Sequence, residues 1–151
     1  MKIKLLAGLV TLVAFNMTAL ADNITYRDHI KPLWESQCAA CHGANSPYLG
    51  DFEENEEKYV TKNIGPRMDT YADLLMYIAW PDTGALMRRL DDGKMTKDGK
   101  PGNMYVYLGA SDKERQQNFE LFKSWIGENA WTHKRAKAIT KEELMAIKAE
   151  Y

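Results

Sequence analysis

Cys38-Ala39-Ala40-Cys41-His42 is the stretch on which the fold turns. Two thiols three residues apart lie on neighbouring turns of a helix, so both can reach the vinyl groups of one porphyrin and form thioether bonds. The adjacent His42 then places an imidazole nitrogen on the iron. Cys38 and Cys41 are the only two cysteines of the chain, too few for the disulfide framework that staples small secreted domains. Three other uses of such a pair fit less well. A disulfide closing so short a loop stabilises little, a zinc site wants a second ligand pair, and a thioredoxin-like redox pair sits in a βαβ pattern that the sequence lacks. The motif therefore predicts one covalently bound haem c, held by Cys38 and Cys41 with His42 on the metal.

The 151 residues allow one domain with an appendage, and a composition 45% hydrophobic and 27% charged is that of a folding chain. Twenty basic against twenty-one acidic side chains leave no excess to neutralise a phosphate backbone, so nucleic acid is not an expected partner. Ahead of the motif, Lys2 and Lys4 precede an apolar run from Leu5 to Phe15, and Ala19-Leu20-Ala21 supplies the small-x-small pattern of a cleavage site. The run is shorter than the roughly 20 residues that span a bilayer. The expectation is a signal peptide over 1–21, no membrane span in the mature chain, and export to the bacterial periplasm, where c-type haem is attached. Loss of Lys2 and Lys4 makes the mature net charge −3.

Downstream of the leader every sustained period is helical. Tyr26, Ile30, Leu33, Trp34 and Gln37 recur at steps of three and four, with Pro32 confined to a first turn, and this predicts a helix from Lys31 or Pro32 that delivers Cys38. Residues 43–67 read as loop with one helical turn, carrying the solvated acidic run Glu53-Glu54-Asn55-Glu56-Glu57. Thr70 and Asp73 form a capping pair for a helix that Trp80-Pro81 ends, and a short helix follows over Gly84 to Leu90. Asp91 to Gly109, with four glycines, is a long ordered loop. Ser111-Asp-Lys-Glu114 is a capping box for a helix with Phe119, Leu121, Phe122, Trp125 and Ile126 on its apolar face, closed by Gly127 as a left-handed cap. Thr140-Lys-Glu-Glu143 opens a last helix with Leu144, Ile147 and Tyr151 on one side. The chain is thus expected to be all-α, four to five helices wrapped around the haem. The expected division is a haem-binding domain over 22–127 and a C-terminal extension with a short helix over 128–151.

For the sixth ligand, Met76 and Met87 sit in helical patterns as core filler, which leaves Met104 and Met95 in the glycine-rich loop. Met104 stands nearer the Ser111 helix that would anchor it and is favoured, with Asn103 as a hydrogen-bond donor to its sulfur; Met95 stays open. His29 and His133 read as surface residues. Arg88 and Arg89, with Arg67, Tyr71 and Trp80, are candidate donors to haem propionates, solvated surface charge being the alternative for the arginines.

These residues make the chain resemble the class I c-type cytochromes, small monohaem electron carriers. The resemblance rests on Cys38-Ala-Ala-Cys41-His42 after an N-terminal helix, Gly102-Asn-Met104-Tyr-Val-Tyr-Leu-Gly109, and the closing helix to Ile126. It implies that the first and last helices cross, pairing the Trp34 face with Phe122 and Trp125. It further implies that the methionine before the last helix is the distal ligand, and that a proline carbonyl, taken as that of Pro47, orients His42. The function it implies is single-electron transfer between a redox donor and acceptor, with no bond-making chemistry. The alternatives are a haem subunit or sensor whose tail from Glu128 binds a dedicated partner, and a haem enzyme with an open or labile sixth site.

Overall fold

A computed structural model describes residues 23–151; the leader expected over 1–21 lies outside them. Among the described residues every element is helical. α1 (Lys31–Gln37) and α2 (Ala39–His42) carry the motif, α3 (Leu49–Glu54) and α4 (Glu56–Val60) follow, then α5 (Tyr71–Ile78), α6 (Ala85–Leu90), α7 (Asp112–Ile126) and α8 (Lys141–Met145). A π-helical turn, Tyr26–Ile30, leads into α1, and single 3-10 turns lie at Tyr105–Leu108 and Glu128–Ala130. The all-α expectation holds, with more and shorter pieces than the four or five foreseen. The helix through the motif breaks at Cys38, and residues 43–67 hold two short helices instead of one turn. No described helix is long and apolar enough to cross a membrane.

Local chemistry explains most of the boundaries. Thr70 accepts from the Asp73 amide at 3.1 Å, and Thr140 and Glu143 form a reciprocal capping box. Ser111 accepts from the Glu114 amide at 3.2 Å, but the Glu114 carboxylate turns to the Ala110 amide instead of closing the box on Ser111. Gly127 ends α7 at φ 108°, ψ 123°, so glycine is needed there for its positive φ, yet the ψ lies outside the range of a left-handed helical cap. α8 stops at Met145, so Ile147 and Tyr151 leave the helical face predicted for them.

Among the described residues the core is one cluster drawn from the N-terminal turn, α1, α5, α6, α7 and the segments that flank α7. Ile30, Leu74, Ile78, Met87, Leu108, Phe122, Trp125 and Ile126 are fully buried, and Trp34, Phe119 and Trp131 join them. The first and last helices were expected to pair through the Trp34 face; the N-terminal segment instead meets α7 through the π-helical turn ahead of α1, where the Tyr26 ring lies 6.2 Å from Trp125, and Trp34 is buried in the same core. The segment after Gly127 folds back onto this crossing. Lys148 and Ala149 amides donate to Ile126 and Trp125 carbonyls, both at 2.9 Å, and the Glu150 carbonyl accepts from the Tyr26 amide at 2.7 Å and Trp125 Nε1 at 2.8 Å. Tyr71 Oη donates to the Ala149 carbonyl at 2.8 Å, and the Tyr151 ring stacks 5.7 Å from Tyr26.

Removing Lys148 to Tyr151 deletes these partners and bares Trp125. At about 1 kcal/mol for each of the five hydrogen bonds, with the lost apolar cover in addition, the truncation should cost roughly 5 kcal/mol or more, read as a lower guanidinium midpoint. An unchanged midpoint would make the tail an ornament.

Candidate functional site

The break at Cys38 shapes the motif. Cys38 caps α1 with its amide on the Trp34 carbonyl at 2.8 Å, and its own carbonyl accepts from the Cys41 and His42 amides at 3.2 and 3.0 Å, so α2 is a single turn that sets both thiols and the imidazole together. Cys38 packs against the core while Cys41 is exposed, and both thiols are free. Burial pushes the Cys38 thiol up to about 12, with Cys41 adding to the rise. A thiol raised in this way is the opposite of the activated thiolate of a redox CxxC pair. No group of three or more metal-binding side chains gathers among the described residues, so a zinc site has no further ligands there.

His42 is held from the second strand of chain that passes it. Its Nδ1 lies 2.7 Å from the Pro66 carbonyl. A carbonyl only accepts, so Nδ1 carries the proton and Nε2 presents its lone pair, the tautomer that an iron ligand requires. Pro66, not Pro47, is therefore the orienting proline. The Pro47 carbonyl instead accepts from the Arg67 amide at 2.7 Å, which fastens the same returning segment. Burial holds the imidazole below its ordinary pKa, opposed by the Pro66 bond, and keeps it neutral at neutral pH. Gly65 lies flat under the ring: a Cβ there would come within 2.1 Å of His42 Cε1 and 2.5 Å of Nδ1. Backbone bonds on either side complete the clamp, Gly65 amide to Cys41 carbonyl at 2.8 Å and Met68 amide to His42 carbonyl at 2.9 Å. Two thiols and a pre-set Nε2 donor form a set that fits covalent haem and an axial ligand.

On the other candidate residues the structure is specific. Met104 is half-buried against the core, its amide donating to the Arg89 carbonyl at 2.9 Å, whereas Met95 is 51% exposed. Asn103 Oδ1 accepts from Arg89 Nη1 at 3.1 Å. Arg88 is tied to protein acceptors, the Thr83 carbonyl at 2.8 Å, the His133 carbonyl at 3.3 Å and Asp82 at 3.2 Å. Both arginines line a cleft with Asp82, Ala85, Asn103 and Arg135. Arg67 pairs with Asp69 and lies over the Tyr48 ring, Tyr71 belongs to the aromatic cluster at the tail, and Trp80 is exposed. His29 Nδ1 accepts from the Thr25 amide at 3.2 Å within its own turn. His133 is not the surface residue expected: its Nε2 lies 3.0 Å from buried Asp91. The Glu53–Glu57 run is solvated as foreseen, but helical.

Gly65→Ala forces a methyl into the imidazole and should cost about 1–3 kcal/mol with a shifted haem absorption spectrum. Gly50→Ala, which meets nothing within 4 Å inside α3, should be neutral or stabilising by up to about 1 kcal/mol with an unaltered spectrum. Equal behaviour of the two would refute the close approach at His42.

The family model of the PccH cytochrome c family matches residues 25–151, and so takes in the segment after Gly127. The solved structure of the monohaem cytochrome PccH from Geobacter sulfurreducens is 53% identical, aligned over 85% of this chain and 99% of that one, with a TM-score of 0.79. No curated protein matches the chain. The chain belongs to the PccH cytochrome c family, and is a haem c electron-transfer protein with a single haem.

Proposed function

We propose that the protein is a periplasmic single-electron carrier, exported by a leader cleaved after Ala21, with His42 and Met104 as axial ligands. When bound through Cys38 and Cys41, the haem supplies reversible one-electron Fe(III)/Fe(II) chemistry; the chain's own residues hold its ligands and exclude water. His42 Nε2 presents a lone pair fixed by Pro66, so little reorganisation accompanies electron transfer on that side. The observation that carries the Met104 assignment is the contrast between the two loop methionines. Met104 is packed on the core and pinned by its amide to the end of α6, while Met95 is half exposed. A pinned thioether favours ferrous iron and raises the potential.

Arg88 and Arg89 are assigned to the haem propionates. Arg89 is exposed and carries one side-chain bond, to Asn103 in the residue pair ahead of the ligand. Arg88, fastened to three acceptors, contributes mainly charge. The carrier reading, in preference to an enzyme, is supported by the family and by a core-packed methionine, Met104, in the loop before α7. Donor and acceptor are redox proteins that dock and release quickly, as small electron-transfer encounters do.

Substituting each loop methionine by alanine tests the ligand. Met104→Ala should abolish the sulfur-to-iron charge-transfer band of the ferric protein and lower the potential, and Met95→Ala should leave both as they are. A band that survives in Met104→Ala refutes the assignment.

A further inference from the structure

Asp91, at the end of α6, is 1% exposed and takes no part in the site described so far. Its Oδ1 accepts from the Gly93 amide at 2.8 Å and the Met95 amide at 3.3 Å. Its Oδ2 accepts from Trp131 Nε1 at 3.2 Å and faces His133 Nε2 at 3.0 Å. Its backbone carbonyl accepts from the Gly102 amide at 2.8 Å. One acidic residue thus gathers both arms of the loop that bears Met95 and Met104, and ties that loop to the segment after α7.

We propose that Asp91 is a positioning residue for the sixth ligand: its carboxylate locks the methionine-bearing loop onto Trp131 and His133 and keeps the distal side closed. The proposal rests on a methionine of this loop being the sixth ligand, as above. Its chemistry is specific. Gly93, Met95 and Trp131 bring only N–H donors, and His133 meets the carboxylate as a donor through Nε2–H. A carboxylate is acceptor-only with room for about four donors, whereas an amide would turn an NH2 group against donors in either orientation. Asparagine is therefore no substitute, although it has the same shape.

The two tail donors are themselves fixed. Trp131 packs edge-on to Phe119 at 5.1 Å, and Phe119 edge-on to Tyr105, the residue after Met104, at 6.0 Å. The Thr132 amide donates to Met87 Sδ at 3.3 Å, and Arg88 Nη1 to the His133 carbonyl at 3.3 Å. With its partners held so firmly, the carboxylate is the joint at which the loop is either fastened or released.

The test uses the full-length ferric holoprotein and imidazole as an external ligand that competes with the methionine sulfur. Asp91→Asn should bind imidazole at least about tenfold more tightly and speed amide exchange at Gly93, Met95 and Gly102 by a similar factor, because a released loop no longer opposes ligand replacement. His133→Leu should shift both in the same direction, and His133→Gln, which restores an N–H donor, should return them toward wild type. Ile30→Val, which thins the core in the N-terminal turn, should leave imidazole binding within about twofold, separating positioning from general loss of stability. Wild-type imidazole affinity in Asp91→Asn overturns the proposal. Should that variant fail to fold, equal affinity in His133→Leu and His133→Gln overturns it instead. A wild-type ferric protein without the sulfur band removes the methionine reading and the proposal with it. A band lost in Met104→Ala or Met95→Ala, beside an unaltered Asp91→Asn, refutes the proposal alone.

Discussion

The bond from His42 Nδ1 to the Pro66 carbonyl, 2.7 Å long, is the constraint from which the site follows. It selects the tautomer, leaves Nε2 as the ring nitrogen with the free lone pair, and couples two segments 24 residues apart. The return of the chain at 65–68 is locked in register by the Cys41 and His42 carbonyls, which accept from the Gly65 and Met68 amides. A side chain at 65 would enter the space of the ring, so the glycine serves close approach and not flexibility. A free imidazole would waste binding energy on orientation; this one is oriented by the fold before it meets a metal.

Around that clamp the core joins the first and last of the described segments. Tyr26 and Trp125 bring the N-terminal turn to α7, and the Glu150 carbonyl accepts from both. The family model likewise extends to residue 151, so the segment after Gly127 is part of the same fold. Its polar contacts reach further, to Tyr71 on α5, to Arg88 on α6 and to Asp91 at the head of the methionine loop. Order in the loop that bears Met95 and Met104 and the packing of the N-terminal turn on α7 therefore share one structural element.

What the sequence disclosed was local chemistry. The CxxCH motif, the caps at Thr70, Ser111 and Thr140, and the apolar face of α7 are written in residues three or four apart, and each formed an element where expected. The misreadings are long-range. Pro47 and Pro66 stand in the same irregular stretch, and only the path of the chain decides which carbonyl faces His42. His133 read as a surface residue because nothing near it in sequence reveals Asp91, 42 residues earlier. Ile147 and Tyr151 fitted a helical stripe, but the tail abandons that stripe to bond with Trp125 and Ile126. The acidic residues 53–57 looked like loop because charge repulsion and an interior asparagine obscure a helix of five or six residues.

Covalent attachment through Cys38 and Cys41, with His42 on the iron, is what the proposed function needs first. Intact mass of the mature protein under denaturing conditions tests it most directly, with a Cys38→Ser, Cys41→Ser double variant alongside. The wild-type chain should keep the mass of a single haem through denaturation, and the double variant should retain none. A wild-type chain that sheds its chromophore on unfolding, or never carries one, would contradict it.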